Sequence, residues 1–165
     1  IQKRKGSAPH AVHYRPFFYP LDRVRNWNRL YGGRGFLQYQ CVIPESESFE
    51  AIKNLLELIA ESRQGSFLST LKQFGPEGEG WLSFPMKGMT LAMDMPVTDR
   101  CLELLPKLDQ IVLEAGGRLY LAKDARMPVS LFNAGYPKAD EFRALRERIG
   151  AQDKMNSLLS RRLDL

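Results

Sequence analysis

Alternation of apolar and polar side chains is the first regularity along the chain. Phe36-Leu-Gln-Tyr-Gln-Cys-Val-Ile43 puts Phe36, Gln38, Gln40 and Val42 on one face of a strand. Leu37, Tyr39, Cys41 and Ile43 fall on the other, and Pro44 ends the run. The period then lengthens. Phe49, Ile52, Leu55, Leu56 and Ile59 recur at helical spacing, with Ser46 or Ser48 as the expected cap and Gly65 beyond the end. Ser66 to Phe74 reads as a second strand and Gly75-Pro-Glu-Gly-Glu-Gly80 as a turn-rich loop. A third strand is expected from Met89 to Val97. Thr98 or Asp99 then caps a second helix with Cys101, Leu104, Leu105, Leu108, Ile111, Val112 and Ala115 on its apolar face. Pro106 removes a hydrogen bond inside that helix, so a kink, or a start nearer Pro106, is expected. Gly116-Gly117 stops it, and Arg118 to Ala122 reads as a fourth strand.

The order β-α-β-β-α-β is the split βαβ pattern of a ferredoxin-like α+β fold. Both helices would cover one face of an antiparallel sheet and leave the other open to a partner or ligand. After the fourth strand the pattern changes. Helical segments are expected from Pro128 to Phe132, from Asp140 to Ile149 and from Met155 to Leu163. Residues 123–165 thus form a partly helical tail that needs a surface to lie on.

Composition narrows the class. The 165 residues are 44% hydrophobic and 26% charged, which suits one soluble globular domain with arms rather than a disordered or fibrous chain. No apolar run approaches the roughly 20 residues of a membrane-spanning helix, and no signal peptide is visible, so a cytoplasmic or peripheral-membrane location is expected. Cys41 and Cys101 lack zinc-ligand spacing, and His10 and His13 both sit in the basic N-terminal stretch, so no metal site is expected. Ile1 in place of Met leads to the expectation of a fragment, or of a start that precedes Ile1. Charge is unevenly spread. Residues 1–34 carry Lys3, Arg4, Lys5, Arg15, Arg23, Arg25, Arg29 and Arg34 against Asp22 alone, a balance of +7, while the whole chain is +5. This basic connecting arm is either a solvated linker or a contact for an anionic surface, whether nucleic acid, lipid or phosphorylated substrate.

The common catalytic signatures are missing: no P-loop, no GxGxxG after a strand, no GxSxG and no HExxH. What remains is a set of polar positions sharing one sheet face. Gln38 and Gln40 alternate on the first strand, Lys72 lies on the second, and Thr90, Ala92 and Asp94 alternate on the third. A solvated sheet face explains them. So does a pocket for a polyhydroxylated, phosphate-bearing substrate, since amides donate to and accept from hydroxyls and an ammonium pairs with the anion. Lys123, at the expected end of the fourth strand, either stabilises negative charge on a substrate or cofactor or simply pairs with Asp124 or another acid. A βαββαβ nucleic-acid-binding module with a basic arm is the alternative class. Against it, Arg34-Gly-Phe36 matches only the opening of the corresponding motif and precedes the first strand.

Longer strings go beyond spacing. Tyr19-Pro-Leu-Asp, Asn26-Trp-Asn-Arg-Leu-Tyr-Gly, Gly35-Phe-Leu-Gln-Tyr-Gln40, Lys72-Gln-Phe-Gly-Pro76 and Leu82-Ser-Phe-Pro-Met86 occur in order. They are followed by Gly116-Gly-Arg-Leu-Tyr-Leu-Ala-Lys-Asp-Ala-Arg126 and Arg161-Arg-Leu-Asp-Leu165. From about His13 onward the series resembles the C-terminal half of the decaprenylphosphoryl-β-D-ribose 2′-oxidase family, FAD-linked oxidases of the vanillyl-alcohol-oxidase class.

The resemblance implies an FAD-dependent oxidoreductase of cell-wall arabinan synthesis that oxidises a secondary sugar alcohol to a ketone; a sugar-lactone oxidase of the same class is the alternative. It implies a basic connecting arm over 1–34, a cap or substrate-binding domain over 35–119, and a segment over 120–165 that returns to an FAD-binding domain absent from this chain. A lipid-linked sugar and a separate NAD-dependent reductase are the implied partners, nucleic acid is not, and the arm's aromatics and arginines would suit peripheral membrane contact. Lys123 matches the family's essential lysine beside the isoalloxazine ring, where it would hold flavin and substrate and stabilise the anionic reduced flavin. Tyr120 matches a flavin contact, and Gln38, Gln40 and Lys72 match residues lining the substrate pocket. Phe18 stands where mycobacterial members have tyrosine, Thr90 where they have asparagine, and Ala92 where they have the cysteine trapped by covalent inhibitors. Ala92 therefore implies resistance to inhibitors that need that thiol.

Overall fold

The structure, a computed structural model, describes residues 11–26, 29 and 31–165. Lys3, Arg4, Lys5 and His10 of the basic arm lie outside the described residues. The arm begins with a short helix, α1 (Tyr14–Phe18), capped by His13 Nδ1, which accepts the Arg15 N–H, and continues through a 3-10 turn at Pro20–Arg23. No residue of α1 is buried.

The body has strands β1 (Phe36–Pro44), β2 (Ser69–Phe74), β3 (Gly88–Pro96) and β4 (Arg118–Leu119), with helices α2 (Ser48–Ser62) and α3 (Asp99–Glu114) between them. The sheet order is β2-β3-β1-β4 and every neighbouring pair is antiparallel. This is the split βαβ arrangement that the element order predicts. β1 and β3 pair along their full length, from Phe36 opposite Pro96 to Pro44 opposite Gly88. Alternation does the rest. Tyr39, Cys41 and Ile43 on β1 and Leu91, Met93 and Met95 on β3 face Ile52, Leu55 and Ile59 of α2 and Leu104, Leu105, Leu108 and Val112 of α3 in one core.

Local details depart from the expected ones for physical reasons. Neither Ser46 nor Ser48 caps α2. Glu47 holds the cap position without a side-chain bond, while the Ser48 hydroxyl donates back to the Glu45 carbonyl. The buried stripe of α2 is Ser48, Ala51, Ile52, Leu55 and Ile59, so Phe49 (78% exposed) and Leu56 sit off it. Pro106 does not set the start of α3: the helix begins at Asp99, with Thr98 Oγ1 accepting the Cys101 N–H, and runs through the proline. Pro106 and Leu102, whose carbonyl the proline leaves without a helical partner, both lie on the exposed side, while Leu105 and Leu108 anchor the inner side.

The tail finds its surface within this chain. Helices α4 (Val129–Gly135), α5 (Ala139–Arg148) and α6 (Leu158–Arg162) follow, the last shorter than expected and started by a Ser157–Ser160 capping box. Met127, Leu131, Phe132, Tyr136, Ala139 and Leu163 enter the same core as the sheet and α3. Arg143 of α5 ties the segments together, reaching Asn133, Asp140 and the carbonyls of Leu163 and Asp164. Among the described residues no helix is long and apolar enough to cross a membrane.

Candidate functional site

The sheet face away from α2 and α3 carries Gln38 and Gln40 from β1, Thr90, Ala92 and Asp94 from β3, and Thr70 and Lys72 from β2. The register places Gln38 opposite Asp94, Gln40 opposite Ala92, Ala92 opposite Thr70, and Thr90 opposite Lys72. This face is covered at both ends and left as a trough between them. At one end Tyr31 stacks on Phe36 (4.5 Å between centroids) and meets Phe67 edge-on. At the other the 75–87 loop folds across the sheet. Its Phe84 meets Phe74 edge-on and stacks on Tyr120 at 4.4 Å, and Arg118 holds the loop through Glu77 and the Ser83 carbonyl. Gln40, Val42 and Thr90 are buried, whereas Gln38 and Ala92 are half-buried and Lys72 is exposed.

The polar groups of the trough form a short network. The Gln38 amide donates to Asp94 Oδ1 at 2.9 Å, and the Tyr31 hydroxyl donates to Asp94 Oδ2 at 3.1 Å. The Gln40 amide donates to Thr90 Oγ1 at 3.1 Å, and that hydroxyl donates to the Cys41 carbonyl at 2.8 Å. Asp94 is only 4% exposed and makes no ion pair with the described residues, so these donors compensate its burial. Burial, and then the neighbouring Asp94 carboxylate, push the Tyr31 phenol above its ordinary range.

The expected fourth strand is cut short, and this decides where Lys123 stands. β4 ends at Leu119; the Tyr120 N–H still reaches the Gln40 carbonyl at 2.8 Å, and the chain then turns through a 3-10 segment, Leu121–Lys123. Asp124 causes the departure: its Oδ1 accepts the Arg126 and Met127 N–H groups at 2.8 and 2.7 Å, and its other oxygen pairs with Arg162 of α6. Lys123 therefore rises from a turn beside the free edge of β1, not from a strand end. It lines a tight crevice of about 10 Å³ with Gln38, Gln40, Tyr120 and Arg126. Lys123 is half-buried; its backbone N–H donates to the Tyr120 carbonyl, whereas its ammonium makes no hydrogen bond or ion pair with the described residues, and Asp124 is already engaged by Arg162. On the other side of β1, Asp109 accepts the Tyr39 hydroxyl (3.3 Å) and pairs with Arg126 (2.6 Å). Burial raises the Asp109 carboxyl above its ordinary value, opposed chiefly by the Arg126 guanidinium.

Of the residues singled out by sequence, Gln38, Gln40, Thr90 and Ala92 share the trough, Lys72 sits on its rim, and Tyr120 and Lys123 close its β1 edge. Phe18 is not brought there; it lies on α1, 68% exposed. Sequence reasoning missed Tyr31, Phe84 and the Asp124–Arg162 pair. Each depends on contacts between distant parts of the chain, such as Tyr31 with Asp94 or Asp124 with Arg162, that no local pattern announces.

No family model matches the chain. It is 42% identical over 149 residues to decaprenylphosphoryl-beta-D-ribose oxidase of Mycolicibacterium smegmatis, a match covering 90% of this chain and 32% of that protein. It is also 36% identical over 134 residues to an uncharacterized protein in the mprA 5′ region of Streptomyces coelicolor, covering 81% of this chain and 36% of that one. The chain thus spans about a third of the length of the curated relatives it matches. Over nine-tenths of its own length, this α+β chain with its amide-lined trough and neighbouring lysine resembles a portion of decaprenylphosphoryl-beta-D-ribose oxidase.

Proposed function

We propose that this chain forms the substrate-facing side of an FAD-dependent oxidoreductase that oxidises a secondary alcohol of a sugar, with a polyprenyl-phosphoryl pentose as the leading substrate. In this reading residues 1–34 connect, residues 35–119 bind substrate, and residues 120–165 return to an N-terminal FAD-binding half found outside this chain. A separate NAD-dependent reductase would convert the ketone onward and complete an epimerisation. The observation that carries the reading is a Lys123 ammonium with no partner among the described residues, beside a trough lined by two glutamine amides, in a chain similar to a sugar oxidase.

The residues present fit one edge of a flavin. Lys123 offers a cation unpaired among the described residues and Tyr120 a ring already stacked against Phe84, both at the open edge of β1. FAD, when bound, supplies the hydride acceptor. The protein's part is placement and charge. Gln38 and Gln40 hydrogen-bond the sugar hydroxyls, Lys72 on the rim meets the phosphate, and Ala92, small and opposite Gln40, leaves room above the sheet for the ring. The Lys123 ammonium stabilises negative charge that develops beside it, and does so strongly because the cleft is narrow and half-buried. On the arm, Phe17 and Phe18 of α1 are exposed beside Tyr14, Tyr19, Arg15 and Arg23, which suits contact with an anionic membrane holding a lipid-linked substrate.

The test is reconstitution with the flavin-binding half, following flavin bleaching as candidate pentose phosphates are added. Lys123→Ala is expected to slow bleaching by about 100-fold or more, the scale of one preorganised electrostatic group. Full reductive rates in that variant would remove Lys123 from the reaction.

A further inference from the structure

The two amides of the trough can point only one way. Both oxygens of Asp94 receive a donor, Gln38 Nε2 on one and the Tyr31 hydroxyl on the other. An ionised carboxylate has nothing to donate, so Gln38 must turn its NH₂ group toward Asp94 and its Oε1 away. The same holds one step along the strand. Thr90 has a single hydroxyl proton, and the Cys41 carbonyl takes it at 2.8 Å; toward Gln40 it can only accept. Gln40 therefore also commits its NH₂, at 3.1 Å, and turns its Oε1 away. Among the described residues neither Oε1 accepts a hydrogen bond, and neither is sealed off from solvent.

We infer that Asp94 and Thr90 are positioning residues that set the polarity of the Gln38–Gln40 pair, so that the trough presents two carbonyl acceptors and selects its ligand through hydroxyl donors of a carbohydrate. This rests on the sugar-site reading above and adds the direction of each hydrogen bond. It also gives Asp94 a task beyond its own burial: an uncharged amide in its place could turn either end toward Gln38, and the amide polarity would no longer be fixed. Ligands that replace a bound hydroxyl by hydrogen lose a bond and leave an acceptor unpaired.

The test uses the full 165-residue chain in two arms. Side-chain amide resonances of Gln38 and Gln40 report whether each NH₂ is hydrogen-bonded. Asp94→Asn is expected to shift the Gln38 pair, and Thr90→Val the Gln40 pair, while Thr90→Ser, which keeps the hydroxyl, leaves the latter in place. In the second arm ribose 5-phosphate is titrated against its 2-deoxy and 3-deoxy analogues. Wild-type protein is expected to favour the parent sugar over at least one analogue by on the order of fivefold, the net value of one hydrogen bond. Asp94→Asn and Thr90→Val should bring that ratio toward unity, and Thr90→Ser should preserve it. Amide signals indifferent to Asp94→Asn and Thr90→Val would overturn the inference, as would a preference that survives both substitutions or is missing from wild type although the sugars bind. If the amides respond as expected yet none of the three sugars binds, either here or in the reconstituted flavoenzyme, the sugar-site reading fails together with the ligand assignment while the amide polarity stands.

Discussion

Replacing Arg162 by alanine probes how the turn that carries Lys123 is held. Arg162 Nη1 donates to the Ala125 carbonyl at 2.7 Å, and its Nη2 pairs with Asp124, whose side chain is 3% exposed. Removing the guanidinium loses one charge-assisted hydrogen bond, about 1.5 kcal/mol. It also leaves a buried carboxylate without its cation, which costs about 3–5 kcal/mol in a fully enclosed pair. Two features reduce that second figure. Arg162 is 33% exposed, so water can replace it, and Asp124 keeps its bonds from the Arg126 and Met127 amides. A discounted contribution of about 1–2 kcal/mol from the lost pairing is appropriate, giving a destabilisation of about 3 kcal/mol in all. For a chain of this size that lowers Tm by about 6–12 °C. Urea unfolding of Arg162→Ala, Asp124→Asn and the double variant measures the coupling, expected to be about 1–3 kcal/mol. Hydrogen exchange should show the Arg126 and Met127 amides losing protection before the core does. A loss within about 0.5 kcal/mol for Arg162→Ala, the range of an ordinary surface change, would refute the reasoning.

Three further outcomes follow from other parts of the molecule. Gly88 starts β3 at φ +156°, and a Cβ there would lie 1.9 Å from the Ile43 carbonyl oxygen, so Gly88→Ala should cost more than about 3 kcal/mol or abolish folding, as read by circular dichroism and urea melts. Cys41 is fully buried and its thiol is pushed up to about 12 from 9.0, mainly by burial; the folded chain holds a proton that the unfolded chain releases, so stability falls as pH rises from about 9 toward 12. Cys41→Ala should flatten that fall by up to about 1.4 kcal/mol per pH unit, and an unchanged slope would exclude the thiol as its source. Ala92→Cys should make the trough open to thiol-directed labelling at neutral pH, detected as a mass increment under native conditions, while wild-type protein with its two buried thiols stays unlabelled until unfolded.

Much of this molecule is written in its periodicities. The alternation from Phe36 to Ile43 predicts which β1 side chains enter the core, and Gln38 and Gln40 emerge on the opposite face together with Thr90, Ala92 and Lys72. Local sterics and burial act at each residue, so a period of two or of 3.6 survives translation into structure. The extent of β4 was not legible: the strand ends after Leu119, and the Asp124 side chain beyond it accepts the Arg126 and Met127 amides in a turn. Nor was the stripe of α2, where Phe49 matches the helical period yet points outward once the sheet fixes the helix's rotation. Pro106 shows the opposite balance, since burial of Leu105 and Leu108 outweighs one missing solvent-side hydrogen bond.

Periodicity alone carried the element order, the two faces of the sheet and the inventory of polar groups on the face away from the helices. Tertiary structure decided what those groups do together. Tyr31 reaches Asp94 across 63 positions, Arg162 reaches Asp124 across 38, and the 75–87 loop lays Phe84 over the sheet. The reason is physical: a periodic pattern reports the preference of each residue for water or core, whereas the direction of a hydrogen bond and the freedom of an ammonium depend on which distant groups the fold brings within reach.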